Sequence, residues 1–270
     1  IFIVKIKNIM TVCILGNSLT ALTLAKTLVN HKINVDLLFN KKKNKISESR
    51  TIGITSNNVN FFNDNIINIE KIIWKLKRIE IFSDNLKKER LINFKSNKDH
   101  LFSIVKNHNL YKLLEKDLLK NKFFRSKFSN KINISYLDKY ELVINCDSSN
   151  SISNRYFSKK IIKKYNSYAH TTIIKHDQIL NDTACQIFTK KGPIAFLPIS
   201  NRETSIVYSI HYPNDKKNEN VEQLIKDKNL KYKINNIEKI NTFELKSLNL
   251  RSYYYKNILA FGDLLHKVHP

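Results

Sequence analysis

The sequence predicts an α/β fold in which a Rossmann-like parallel sheet is interleaved with an antiparallel β-sheet. Three observations carry that expectation. An apolar run at 11–15, a turn at Gly16, a helical period through Leu19, Leu22, Leu24, Ala25 and Leu28, and a second apolar run at 33–39 make a βαβ unit. Between 167 and 212 the pattern changes to short runs (HTTIIKH, ACQIFT, IAFLPIS, TSIVYSIHY) broken by turn signals at Lys191-Gly192-Pro193 and Asn201-Arg202, which is an antiparallel meander. A last strand at 257–261 then leads into Gly262-Asp263 and returns to the first sheet.

The remaining elements fill the space between these landmarks. A lysine cluster (Lys41, Lys42, Lys43, Lys45) reads as a solvated loop, and Arg50-Thr-Ile-Gly-Ile-Thr leads into a polar helical stretch containing Asn57 and Asn58. The runs RIEIF, RLINF and LFSIV within 79–106 suit antiparallel strands, and 110–119, with Leu113, Leu114 and Leu118, is an amphipathic helix. Residues 131–136 and 141–146 read as strands returning to the parallel sheet, and 221–228 as a charged helix. This assigns 10–78, 102–160 and 251–270 to one discontinuous domain and 79–101 and 161–250 to a second. The first residue is Ile and Met10 directly precedes the first strand, so 1–9 are expected to lie outside the fold. Pro270 falls inside a motif, so a C-terminal part is expected to be missing.

Composition narrows the function classes. With 42% hydrophobic and 10% aromatic residues in 270, the chain has enough apolar material for a sizeable core and is not a disordered basic tail. The net charge is +24, but Ile, Lys and Asn, all encoded by A/T-rich codons, dominate the sequence. Codon bias accounts for much of that charge, Lys outnumbers Arg, and no nucleic-acid partner is expected. Cys13, Cys146 and Cys185 are far apart with no CxxC spacing, which points to a reducing, cytoplasmic compartment without a zinc site. No segment has the length and apolarity of a membrane-spanning helix.

The turn Gly16-Asn17-Ser18-Leu19-Thr20-Ala21 stands where a dinucleotide fingerprint GxGxxG/A would. The first Gly permits the tight turn, the second lets the backbone approach a pyrophosphate at the helix N-terminus, and the third position, where Ala is tolerated, permits close packing. Here Gly16 and Ala21 keep their roles and Ser18 takes the second position, where it either crowds the pyrophosphate or donates its hydroxyl to it. The acid expected at the end of the second strand, to hold an adenosine ribose, is replaced by Phe39, 23 residues after Gly16, with Asn40 beside it as a weaker acceptor. A ligand-free βαβ turn accounts for the same residues.

Four separated segments, read in order, resemble one family: Arg50-Thr-Ile-Gly-Ile-Thr; Val143-Ile-Asn-Cys-Asp147-Ser-Ser-Asn-Ser; Phe188-Thr-Lys-Lys-Gly-Pro-Ile-Ala-Phe-Leu-Pro-Ile-Ser; and Ile258-Leu-Ala-Phe-Gly262-Asp263-Leu-Leu-His266-Lys-Val-His269-Pro270. They are similar to the FAD-dependent aromatic hydroxylases of ubiquinone biosynthesis, part of the flavoprotein monooxygenases with the p-hydroxybenzoate hydroxylase fold. The resemblance spans nearly the whole chain, and its GPxAxLPxS-like segment is the most specific part.

That resemblance implies FAD as cofactor and NAD(P)H as transient reductant. It places Arg50 near the flavin and its phosphates, Asn107 near the flavin, and Asp147 of the DG motif (here Asp147-Ser148) at FAD and a reductant site. It has Gly262-Asp263 hold the ribitol chain, and Pro270 lead into a glycine-rich loop that cradles the ring system. The implied reaction is hydroxylation of a polyprenylated phenol through a flavin hydroperoxide, with no catalytic side chain as nucleophile and the 167–212 sheet as an apolar wall. Other enzymes of ubiquinone biosynthesis are expected partners, and the membrane's inner face an expected location.

Plainer readings stand beside these. Asp147 at a strand end is also an ordinary turn residue. His266 and His269 lack companion ligands, so no metal is expected. The tyrosines at 253–255 suit packing as well as stacking. Lys159-Lys160-Ile-Ile-Lys163-Lys164 is a solvated face, or a surface for an anionic membrane that would bring the enzyme to a lipid substrate. With Ser18, Phe39 and Ser148 at cofactor positions, a degenerate, non-catalytic member with a structural role in a biosynthetic assembly is the alternative; a basic nucleic-acid-binding protein is the remote one.

Overall fold

The computed structural model describes residues 10–40, 48–84, 89–96, 100–129, 132–213 and 219–268. The first half contains β1 (Thr11–Leu15), α1 (Leu19–Asn30), β2 (Asn34–Phe39), β3 (Thr51–Thr55), α2 (Ser56–Asn65), β4 (Ile73–Leu76), β5 (Arg78–Ser83), β6 (Arg90–Lys95), β7 (Phe102–Lys106) and α3 (Asn107–Leu118). Next come β8 (Phe124–Phe128), α4 (Ile134–Leu137), β9 (Leu142–Asn145), α5 (Ser151–Tyr156), β10 (Lys160–His176), β11 (Thr183–Thr189), β12 (Gly192–Pro198) and β13 (Glu203–His211). The chain finishes with α6 (Val221–Lys228), β14 (Ile234–Ile237), β15 (Asn241–Leu250), β16 (Tyr254–Tyr255), β17 (Ile258–Ala260), a 3-10 turn Gly262–Leu264 and β18 (His266–Lys267).

A six-stranded sheet runs in the order β16-β17-β9-β1-β2-β8, parallel except for β16. Its centre is β1, whose Val12, Cys13, Ile14 and Leu15 are all at most 1% exposed, because a strand covered on both faces needs an unbroken apolar run. Alternate residues feed two cores. Val12 and Ile14 pack with Leu22, Ala25, Leu110 and Leu114 of α1 and α3, while Cys13 and Leu15 pack with Leu137, Ile152 and Ile258 on the other side.

The strand expected at 131–136 is not there: 134–137 form the single turn α4, with Leu137 fully buried under the sheet. The outermost parallel strand is instead β8, paired to β2 from Val35↔Phe124 to Phe39↔Phe128. As an edge strand it carries Arg125 and Lys127 and lacks the apolar density that marks a central strand.

The second large sheet has the order β18-β15-β10-β13-β12-β11-β5-β6, with β14 also on β10. It gathers the expected meander together with β5 and β6, β5 running parallel to β11. One face is covered by α6, where Ile194, Phe196, Ile206, Tyr208 and Ile225 are buried. The other faces a three-stranded sheet, β3-β7-β4. Among the contacts of the described residues that join the parts are Lys106 to Glu203 at 2.9 Å, Thr51 Oγ1 to Ser205 Oγ at 3.0 Å, Trp74 Nε1 donating to Asn181 O at 2.7 Å, and Asn241 donating to Ser49 Oγ at 2.9 Å. Residues 41–47 and 130–131, and the residues His269 and Pro270, lie outside the described residues.

Candidate functional site

At the carboxyl end of the parallel sheet, between β1 and α1, the chain turns at Gly16 with φ +104°, and the Gly16 amide donates to Leu38 O at 2.8 Å. A Cβ there would stand 3.0 Å from Asp147 Cβ, so this glycine is required by both backbone conformation and space. Ser18 is the N-cap of α1, its Oγ accepting from the Ala21 amide at 3.3 Å. Helix geometry leaves the Leu19 and Thr20 amides without intrahelical acceptors, and both residues line an open cleft of about 1040 Å³.

One wall of the cleft is the turn after β9. Buried Asn145 ties it down: its amide donates to Ser153 Oγ at 2.9 Å, and its Oδ1 accepts from the Asp147 amide and from Asn150 Nδ2. Asp147 Oδ1 accepts from the Ser149 amide at 2.8 Å and from its hydroxyl at 2.7 Å, so one carboxylate oxygen closes the turn. The Cys146 thiol is pushed up to about 12, by burial first and then by Asp147, and it stays protonated at neutral pH.

The opposite wall is β3 and α3. The Asn107 amide donates to Arg50 O at 2.9 Å, which sets the start of α3 beside Arg50, and the Arg50 guanidinium lies over the Phe243 ring at 5.5 Å. From there Asn107, His108, Tyr111, Lys112 and Glu115 form a stripe along α3 facing the cleft. Burial lowers the His108 pKa from its ordinary value, with Glu48 opposing and Lys112 and Lys106 assisting. Tyr111 is pushed up to about 12 by burial, with Glu115 adding to the shift.

The third side is the turn after β17. Gly262, at φ +62°, lies so close to α1 that a Cβ would fall 2.8 Å from Thr20 Cγ2. That contact presents Asp263 to the cleft, with Lys267 at 3.9 Å from its carboxylate.

Gly16, Ser18, Asn40, Arg50, Asn107, Asp147 and Asp263, distant in sequence, thus line one cleft. Ala21 and Gly262 do not line it: Ala21 is fully buried in α1, and Gly262 acts by its fit against Thr20. Pro270 lies outside the described residues. Thr20, Glu48, His108, Tyr111, Lys112 and Glu115 also line it and escaped the sequence reading, although the α3 residues recur with helical spacing. Three side-chain atoms here, Asn40 Oδ1, Asn107 Oδ1 and His108 Nδ1, are buried without a hydrogen-bond partner. Buried polar atoms in native proteins are rarely left so.

No protein-family model matches the chain, and no curated protein matches it in sequence. Solved structures match its fold. The p-nitrophenol 4-monooxygenase PnpA from Pseudomonas putida DLL-E4 superposes with TM-score 0.75 at 11% identity, over 97% of this chain and 75% of that one. PqsL of Pseudomonas aeruginosa, described as a probable FAD-dependent monooxygenase, gives 0.73 at 15% identity, over 97% and 80%. The tetrameric form of 2-methyl-3-hydroxypyridine-5-carboxylic acid oxygenase gives 0.72 at 12%, over 96% and 76%. The fold is therefore that of the p-hydroxybenzoate hydroxylase-like flavoprotein monooxygenases, as the sequence led one to expect.

Proposed function

We propose that this chain is an FAD-dependent monooxygenase that hydroxylates the aromatic ring of a polyprenylated phenol in ubiquinone biosynthesis, with NAD(P)H as reductant. The observation that carries the reading is that one cleft at the N-terminus of α1 is lined by a positive-φ glycine, Gly16, together with Arg50, Asn107, Asp147 and Asp263. The donor set suits a flavin dinucleotide. The free amides of α1, with Arg50 and Lys112 across the cleft, suit the diphosphate, and Asp263 suits the ribitol hydroxyls. Asn40 Oδ1 suits a sugar hydroxyl and Asn107 the flavin end beside Arg50.

When bound, FAD would supply the redox chemistry, in which two electrons from NAD(P)H and one dioxygen give one oxygen atom to the ring and release the other as water. The protein's own part is to bind, orient and exclude water. On the face of the nine-stranded sheet turned toward β3, the register aligns Ala169, Thr171, Ala195, Val207, Ser209 and Phe243. These six residues carry no charge, and Thr171 Oγ1 among them is buried without a partner and suits a phenol hydroxyl.

The test is to titrate the purified chain with FAD and record its visible spectrum. NAD(P)H and oxygen consumption are then compared with a prenylated phenol and with a short phenol. Flavin bands bleached by NAD(P)H, with turnover on the prenylated substrate, support the proposal. A folded, colourless protein that takes up no FAD would sink it in favour of the non-catalytic reading, which the packing of Phe39 edge-on against Phe128 at 5.9 Å favours.

Peripheral attachment to an anionic membrane belongs to the same proposal. Among the described residues no helix is long and apolar enough to cross a membrane, but at the start of β10 Ile161 and Ile162 are 52% and 44% exposed between Lys160, Lys163 and Lys164. The chain should co-sediment with vesicles containing phosphatidylglycerol and not with pure phosphatidylcholine, and Ile161→Ser with Ile162→Ser should release it.

A further inference from the structure

Two cations stand where β3 and β7 meet, Thr51 pairing with Lys106, and the fold treats them differently. Lys106 is taken up by Glu203 at 2.9 Å. Arg50 forms no ion pair among the described residues; its guanidinium lies over the Phe243 ring, 5.5 Å from the centroid.

That contact follows from how the backbone is pinned. Asn241 donates to Ser49 Oγ at 2.9 Å, tying the residue before Arg50 to β15 two residues before Phe243, and the Asn107 amide holds Arg50 O at 2.9 Å. Phe243 is 39% exposed and belongs to none of the apolar cores formed by the described residues, so burial does not account for an aromatic side chain there. Its register partner is Ala169, which puts it on the face of the nine-stranded sheet turned toward β3, at the border with the cleft that Arg50 lines.

An aromatic partner has a chemical consequence. A carboxylate at this position would bind the guanidinium edge and consume both its charge and its in-plane donors. A ring attracts the cation through its face, so the N–H groups, which all lie in the guanidinium plane, stay available to an anion.

We propose that Phe243 is a positioning residue, which holds Arg50 by its face and so presents the guanidinium edge to the diphosphate of the dinucleotide. This rests on the FAD reading above, and it gives a residue of the substrate wall a part in cofactor binding. With the arginine held in place before the ligand arrives, binding does not have to immobilise it.

The test is a double-mutant cycle on FAD affinity, read by quenching of flavin fluorescence, with Phe243→Leu, Phe243→Tyr and Arg50→Lys alone and with Phe243→Leu in the Arg50→Lys background. Lysine keeps the charge and lacks the flat face, and tyrosine keeps the ring. Phe243→Leu should weaken FAD about fivefold, the scale of one immobilised side chain. Phe243→Tyr should bind within twofold of the wild type, and Phe243→Leu should cost nothing further in the Arg50→Lys background. If the wild type binds FAD and Phe243→Leu binds it equally well, or weakens it as much in both backgrounds, Phe243 does not act through Arg50; the inference falls and the proposed function stands. A loss in Phe243→Tyr as large as in Phe243→Leu overturns it too, as does a Phe243→Leu chain that no longer melts cooperatively, which would assign the ring to stability. A wild type that binds no FAD overturns both this inference and the proposed function.

Discussion

Gly262 holds a backbone conformation that a side chain resists, at φ +62°, and it does so against Thr20 at the mouth of the cleft. Gly262→Ala is expected to cost about 1–2 kcal/mol from the left-handed backbone alone. The 2.8 Å approach to Thr20 Cγ2 adds to this, lowering the melting temperature and weakening FAD more than ADP, since Asp263 moves with the turn. His108 sets a pH dependence. Burial holds its folded pKa below the ordinary 6.5, so the ligand-free protein is at full stability above that value. It then loses stability as pH falls from 6.5 through the lowered pKa, where the unfolded chain binds the proton first. In His108→Gln that part of the slope should vanish from melting curves recorded between pH 7 and 5. Gly16 was legible from the βαβ turn that it opens, whereas Arg50, Asp147 and Asp263 were singled out only through the family resemblance of the segments that hold them. His108 and Glu115, which line the cleft, were not, because which residues of α3 face it depends on how the helix lies across the sheet.

The helix α1 shows what an N-terminus must reconcile. Its cap, Ser18, occupies the position where a glycine would let a phosphate approach the backbone, and its hydroxyl satisfies the Ala21 amide instead. Ser18→Ala should therefore cost about 1 kcal/mol of stability, while Ser18→Gly costs only a few tenths and tightens FAD by opening the approach. Thermal unfolding and FAD titration of the two variants separate cap from clearance. The elements were legible where periodicity was strong: the βαβ unit, α3, α6 and the meander all lie near their expected places. The misplaced strand at 131–136 shows the limit. Its apolar residues serve α4 and the core beneath it, while true strand β8, half solvated at a sheet edge, carries a pattern no stronger than a loop's.

At the scale of the whole molecule the three-stranded and nine-stranded sheets are joined by apolar packing and by polar contacts between side chains. Trp74, the only tryptophan, donates from β4 to Asn181 O in the loop before β11, so Trp74→Phe should lower stability by about 1 kcal/mol, read by circular dichroism. In the wild type, tryptophan emission and circular dichroism should report a single transition if the sheets unfold together. The alternation of parallel and antiparallel segments was visible in the sequence; the third sheet, β3-β7-β4, was not, because its strands are brief and pair across distant stretches. The order of β17 in the parallel sheet carries a consequence for synthesis. It pairs with β9, yet leaves the ribosome roughly 110 residues later, an interval of roughly 5–20 s at 5–20 residues per second. Throughout that time the nascent chain holds a naked apolar edge beside a half-built cleft, and only the arrival of β17 and the turn after it closes both.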